Sequence, residues 1–125
     1  MGYLFHRWTL VALLGPLLVA LAVAGCGESS APSFDGIPEG ATVIDQDGLK
    51  FKPNSITVTP GTRVYFTNSE RAPHNVVLDG EDLSGKMEKG DVFAWTFDDP
   101  GEYRLSCAYH PQMRVTVTVD GHVRQ

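Results

Sequence analysis

Residues 100–119 read PGEYRLSCAYHPQMRVTVTV, and how they are read decides the fold. Pro100-Gly101 is a turn signal, and beyond it Tyr103, Leu105 and Cys107 alternate with Glu102, Arg104 and Ser106. A period of two marks a half-buried strand. Val115, Val117 and Val119 alternate with Thr116 and Thr118 in the same way, so a second strand covers 114–119. Between the two lies CAYHPQM, 107–113, which sets a thiol, an imidazole and a thioether three residues apart. Cys107 continues the inward face of Tyr103 and Leu105, so its thiol points into the fold at a strand end.

The same period recurs upstream. Ile56 and Val58 alternate in SITVT, 55–59; Pro60-Gly61 turns the chain into TRVYFTN, 62–68, where Val64 and Phe66 are in step. HNVVL, 74–78, is a further strand opened by His74, with Val76 and Leu78 on its own side. The polar stretch DGEDLSGKMEKGD, 79–91, reads as loop, Met87 included. VFAWTF, 92–97, places Phe93, Trp95 and Phe97 on one core-facing side. No long segment has a helical period. Short strands punctuated by turns, with no helices to make parallel crossovers, predict an antiparallel β-sandwich over residues 41–125.

The N-terminus follows different rules. MGYLFHRWTLVALLGPLLVALAVAGCG has Arg7 as its firm positive charge, an apolar run from Trp8 to Ala24, and small residues before Cys26. That is the layout of a secretory signal peptide over 1–25. VAGC resembles the lipobox of bacterial lipoproteins, which implies cleavage before Cys26 and a lipid on its thiol. An uncleaved anchor is the competing reading, since about 17 apolar residues is the lower limit for a span; an ordinary signal with a coincidental cysteine is another. All three export the domain. GESSAPSFDGIPEG, 27–40, is rich in Gly, Ser, Pro and acids and reads as a flexible linker.

Composition narrows the partners. The chain has 10 basic and 15 acidic residues and a net charge of −5; loss of 1–25 removes Arg7 alone and leaves −6. No basic run follows a phosphate backbone, which argues against nucleic acid. Acidic pairs such as Glu81-Asp82 and Asp98-Asp99 read as solvated loops, and His122 as a solvated tail histidine.

Three donors in one loop need a fourth from elsewhere, and His74 is the candidate. A copper site that shuttles electrons takes two imidazoles and a thiolate in a trigonal plane with a weak axial thioether. With TVTPGTRVYFTN, APHNVVLDG, PGEYRLSC and CAYHPQM in view, the chain resembles the type 1 blue-copper proteins, or cupredoxins, of the plastocyanin and amicyanin kind, over most of residues 41–120. The resemblance implies an all-β, antiparallel Greek-key β-sandwich holding one type 1 copper ion. His74, Cys107 and His110 would be its equatorial ligands and Met113 the axial one. Asn75 would tie the ligand loops together and support the thiolate, and Pro111, without an N–H, would leave the sulfur one donor short.

The resemblance also implies function: a monomeric one-electron carrier, not an enzyme, on the outer side of the cytoplasmic membrane, in the periplasm or at the cell surface. Its lipid would hold it to the membrane, and its redox partners would be a cytochrome, dehydrogenase or oxidase. Electrons would pass at the edge of His110, ringed by Ala72, Pro73, Tyr109 and Pro111. Storage or delivery of copper is the alternative, although Met-rich and His-rich tracts are missing. A Cys26–Cys107 disulfide is disfavoured by the linker between them. Structural zinc has no use for a thioether, and a Cys–His nucleophile would lack an orienting third group.

Overall fold

The computed structural model describes residues 34–122. The signal segment, Cys26 and the start of the linker lie outside those residues. Turns at Asp35-Gly36 and Glu39-Gly40 lead into the domain, and the N–H of Ala41 donates to the Pro38 carbonyl at 3.1 Å.

Among the described residues nine strands follow: β1 Thr42–Gln46, β2 Phe51–Lys52, β3 Ser55–Val58, β4 Thr62–Asn68, β5 Val77–Leu78, β6 Glu81–Asp82, β7 Val92–Phe97, β8 Gly101–Ser106 and β9 Arg114–Val119. They form two sheets, ordered β2-β1-β4-β7 and β3-β9-β8-β5-β6. The chain passes back and forth between the sheets, the connectivity of a Greek-key sandwich.

Two pairings depart from the antiparallel expectation. β1 runs parallel to β4 and β3 runs parallel to β9. A parallel pair requires a crossover, and reasoning from the absence of helices overlooked that the opposite sheet can supply one. Here the chain leaves β1, runs through β3 of the other sheet, and re-enters beside β1 as β4.

The core lies between the sheets. Ile44, Val64 and Phe66 come from one, Leu105, Val115, Val117 and Val119 from the other, all buried. Each such side chain contributes about 1.5–3 kcal/mol of burial. Phe51 meets Phe66 edge-on at 6.5 Å, and Phe97 meets Tyr103 at 5.0 Å.

Three readings of side-chain position change. Phe97 is buried, but Trp95 is 37% exposed and stacks on Phe93 at 6.3 Å. β7 is an edge strand, so its inward face reaches past the cover of the opposite sheet. His74 does not open a strand: residues 74–77 are all buried without alternation, and β5 begins at Val77. Met87, read as a loop residue, is 2% exposed and pairs with His74 through two main-chain hydrogen bonds of 3.0 and 2.8 Å.

Candidate metal centre

Cys107 and Met113 stand just beyond the end of β8 and just before the start of β9. Ser106 and Arg114 are directly paired, so the ladder holds the mouth of the ligand loop at fixed width. The loop closes on itself: the N–H of Cys107 donates to the Met113 carbonyl at 3.3 Å, and that of Met113 to the His110 carbonyl at 2.9 Å. Cys107 and Met113 are buried at 2% and 1% exposure, while His110 is half-buried.

The fourth residue arrives from between β4 and β5. Asn68, at the end of β4, is fully buried. Its Nδ2 donates to the carbonyls of Ala72 and Met87, and its Oδ1 accepts the N–H of Glu70. Those bonds fold residues 69–73 into a fixed turn, and the main-chain pair with Met87 seats His74 against the core.

His74, Cys107 and His110 converge. Nδ1 of His74 lies 3.1 Å from Nδ1 of His110, and Cys107 Sγ lies 3.8 and 3.9 Å from those two nitrogens. A metal ion held about 2.0 Å from nitrogen and about 2.3 Å from sulfur would separate a sulfur from a nitrogen donor by roughly 3.8 Å. The S···N edges match that span, and the three atoms leave room for one ion. Among the described residues Cys107 carries a free thiol, and Cys26, the other half of the disulfide reading, lies outside them. Two imidazole nitrogens and a sulfur, with a buried thioether on the same loop, are the donor set suited to copper that changes oxidation state.

Neighbouring side chains fix the orientation of these groups. Asn75, 3% exposed, accepts the N–H of Ala108 through Oδ1 at 2.8 Å and donates through Nδ2 to Asp82 Oδ2 at 2.9 Å. It thereby ties the segment of His74 to the loop of Cys107 at the residue beside the sulfur. Asp82, read as a solvated acid, is part of this tie, and its other oxygen accepts the N–H of Gly85.

Glu70 was not singled out from the sequence. Its Oε1 lies 2.6 Å from His74 Nε2 and accepts the N–H of Leu49 at 2.9 Å. Burial pushes its carboxyl up, but the Leu49 N–H and His74 together outweigh that and hold it below the usual range. A carboxylate there fixes the proton of His74 on Nε2 and presents Nδ1 to a metal. The one available signal was the spacing of four residues between Glu70 and His74. Gln46, also missed, is fully buried and donates to Met87 Sδ at 3.3 Å.

Comparison with known proteins agrees with this geometry. The family described as copper binding proteins, plastocyanin/azurin family, matches residues 38–120. Amicyanin from Paracoccus versutus is 31% identical over 126 residues, covering 86% of this chain and 96% of its own. Amicyanin from Paracoccus denitrificans is 34% identical over 67% of this chain and 69% of its own, and plastocyanin A/B from Petroselinum crispum 31% identical over 61% and 93%. The crystal structure of the P. versutus amicyanin superposes with a TM-score of 0.64 at 31% identity, covering 68% of this chain and 86% of that one. With its sandwich and its His–Cys–His cluster, the chain belongs to the plastocyanin/azurin family of copper-binding proteins, the cupredoxins.

Proposed function

We propose that this protein is a lipid-anchored one-electron carrier outside the cytoplasm, with His74, Cys107, His110 and Met113 holding its copper. As a cupredoxin it is a carrier and not an enzyme. The observation that carries the reading is the convergence of His74 Nδ1, His110 Nδ1 and Cys107 Sγ within 3.1–3.9 Å of one another.

Bound copper supplies a Cu(II)/Cu(I) couple at this position. The protein supplies everything else. A rigid donor set, intermediate between the geometries the two oxidation states prefer, keeps rearrangement small. Glu70 holds the His74 ring in one tautomer, Asn75 holds the Cys107 loop in register, and the buried faces of Cys107 and Met113 exclude water.

His110 is the half-exposed member of the set. Ala72 and Pro73 are half-buried, Pro111 is exposed, and Tyr109 is 47% exposed. That small apolar rim suits brief encounters with a redox protein such as a cytochrome, dehydrogenase or oxidase. Cys26 as lipid attachment, residues 1–25 as signal and the segment after Cys26 as tether complete the proposal. On this reading the domain works in the periplasm or at the cell surface, and it works as a monomer.

The deciding experiment is a visible absorption spectrum of the protein given one equivalent of Cu(II), then ascorbate, then oxidant. An intense blue thiolate-to-copper band that bleaches and returns is expected, and Cys107→Ser should abolish it with the fold intact. Copper taken up with no such band would sink the carrier reading and favour storage or delivery.

A further inference from the structure

Beside the ligand loop, and apart from the rim of His110, a cleft of about 440 Å³ opens between residues 50–54 and residues 112–114. Lys50, Lys52 and Arg114 line it together with Gln112, and Phe51 and Met113 form its floor. Lys52 is paired with Asp47 at 2.7 Å, whereas among the described residues neither Lys50 nor Arg114 has a carboxylate partner within salt-bridge distance. Cations gathered in one concavity are unexpected on a chain of net charge −5.

The wall that carries the lysines is held in place. Asp47 N–H donates to the Lys50 carbonyl at 3.0 Å, and Leu49, in the left-handed region at φ 57°, is fixed through its N–H by Glu70, the carboxylate that also holds His74. A preformed wall lowers the ordering cost of binding.

We infer that this cleft receives a short carboxylate-bearing segment of a protein partner, so that the docking surface has two parts: the apolar rim of His110 and, alongside it, a cationic cleft over Met113. The inference rests on the electron-carrier reading for the partner's role. An acidic chain repels an acidic partner over most of its surface, and a local concentration of positive charge selects the one approach that is attractive. That approach brings the ligand loop to the contact.

The test is a titration of the ¹⁵N-labelled, copper(I)-loaded protein with a hexaglutamate peptide, read by chemical shift. Shifts concentrated at 50–54 and 112–114 are expected. Lys50→Gln and Arg114→Gln should each weaken binding about two- to fivefold, while Lys89→Gln, an exposed cation outside the cleft, should leave it unchanged; thermal unfolding checks that each variant folds. Shifts spread equally to Lys86 and Lys89, no binding, or engagement of the same residues by phosphatidylglycerol vesicles but not by the peptide would each overturn the inference. The readout does not depend on the blue band, so its failure is separable from failure of the carrier reading.

Discussion

Glu70 and His74 are joined by a 2.6 Å contact from Oε1 to Nε2, with the ring of His74 fully buried and the same oxygen accepting the N–H of Leu49. One carboxylate therefore stands a single imidazole away from the copper position. A negative charge there favours the more positive oxidation state. Glu70→Gln keeps an oxygen acceptor and removes the charge, so the blue band should survive while the potential rises. Coulomb's law across about 7 Å with a protein-surface dielectric of about 20 gives about 2 kcal/mol, on the order of 100 mV for one electron. Voltammetry of the two proteins checks it, and an unchanged or lowered potential would count against the charge acting on the copper.

Asn75 is buried, and its two part-buried bonds reach the exposed residues Ala108 and Asp82. Truncation to Ala leaves the Ala108 N–H without its partner and Oδ2 of Asp82 without a donor, while Oδ1 keeps the Gly85 N–H. Loss of the two part-buried bonds together costs about 1–3 kcal/mol. Asn75→Ala should lower stability by that amount in denaturant unfolding of the copper(I) protein. In a cycle with Asp82→Ala, the double variant should lose less than the sum of the two single losses, because both remove one bond. Strict additivity would show that the Asp82 contact carries no energy.

Phe97 and Trp95 share a face of β7 but not an environment, at 1% and 37% exposure. Phe97 packs edge-on against Tyr103 in the core, and its replacement by Ala should cost about 3–5 kcal/mol through lost burial and the cavity left behind. Trp95→Ala should cost less than half of that. Equal losses in denaturant midpoints would mean that the edge of the sandwich is as well covered as its middle.

The contrast between these two aromatics shows what the sequence could reveal. Period two located β3, β4, β7, β8 and β9, because each has a side facing the core and a side facing water. It did not reveal that β7 is an edge strand, since edge or interior is a property of the neighbours. β2 and β6 have two residues each, too short for any period, and β1 was not assigned from the sequence. Around the metal centre, Cys107, His110 and Met113 were legible because one loop presents them at equal spacing. Met87 and Gln46 were not, because they meet the site through a main-chain pair and a long-range contact, and Glu70 was not, because its side chain reaches His74 within a turn that has no period. His74 stood out as an imidazole followed by Asn75, yet its setting is a buried turn organised by Asn68 and not the strand that the apolar run suggested.

Pro111 follows the half-exposed histidine and is itself exposed. Lacking an N–H, it offers no hydrogen bond toward the Cys107 sulfur from that position. A sulfur with fewer donors keeps more electron density and supports the oxidised metal, since hydrogen bonding around the cysteine sulfur is one of the levers on a blue-copper potential. Pro111→Ala adds one N–H in a loop whose ends stay pinned by the Ser106–Arg114 pair and by the Met113-to-His110 bond. The substitution should therefore raise the potential while leaving the blue band in place. The decisive comparison is voltammetry of Pro111→Ala beside a variant with another N–H-bearing residue, such as Pro111→Ser. A rise in both marks the new donor as the cause, whereas a rise in neither shows that the added N–H does not reach the sulfur.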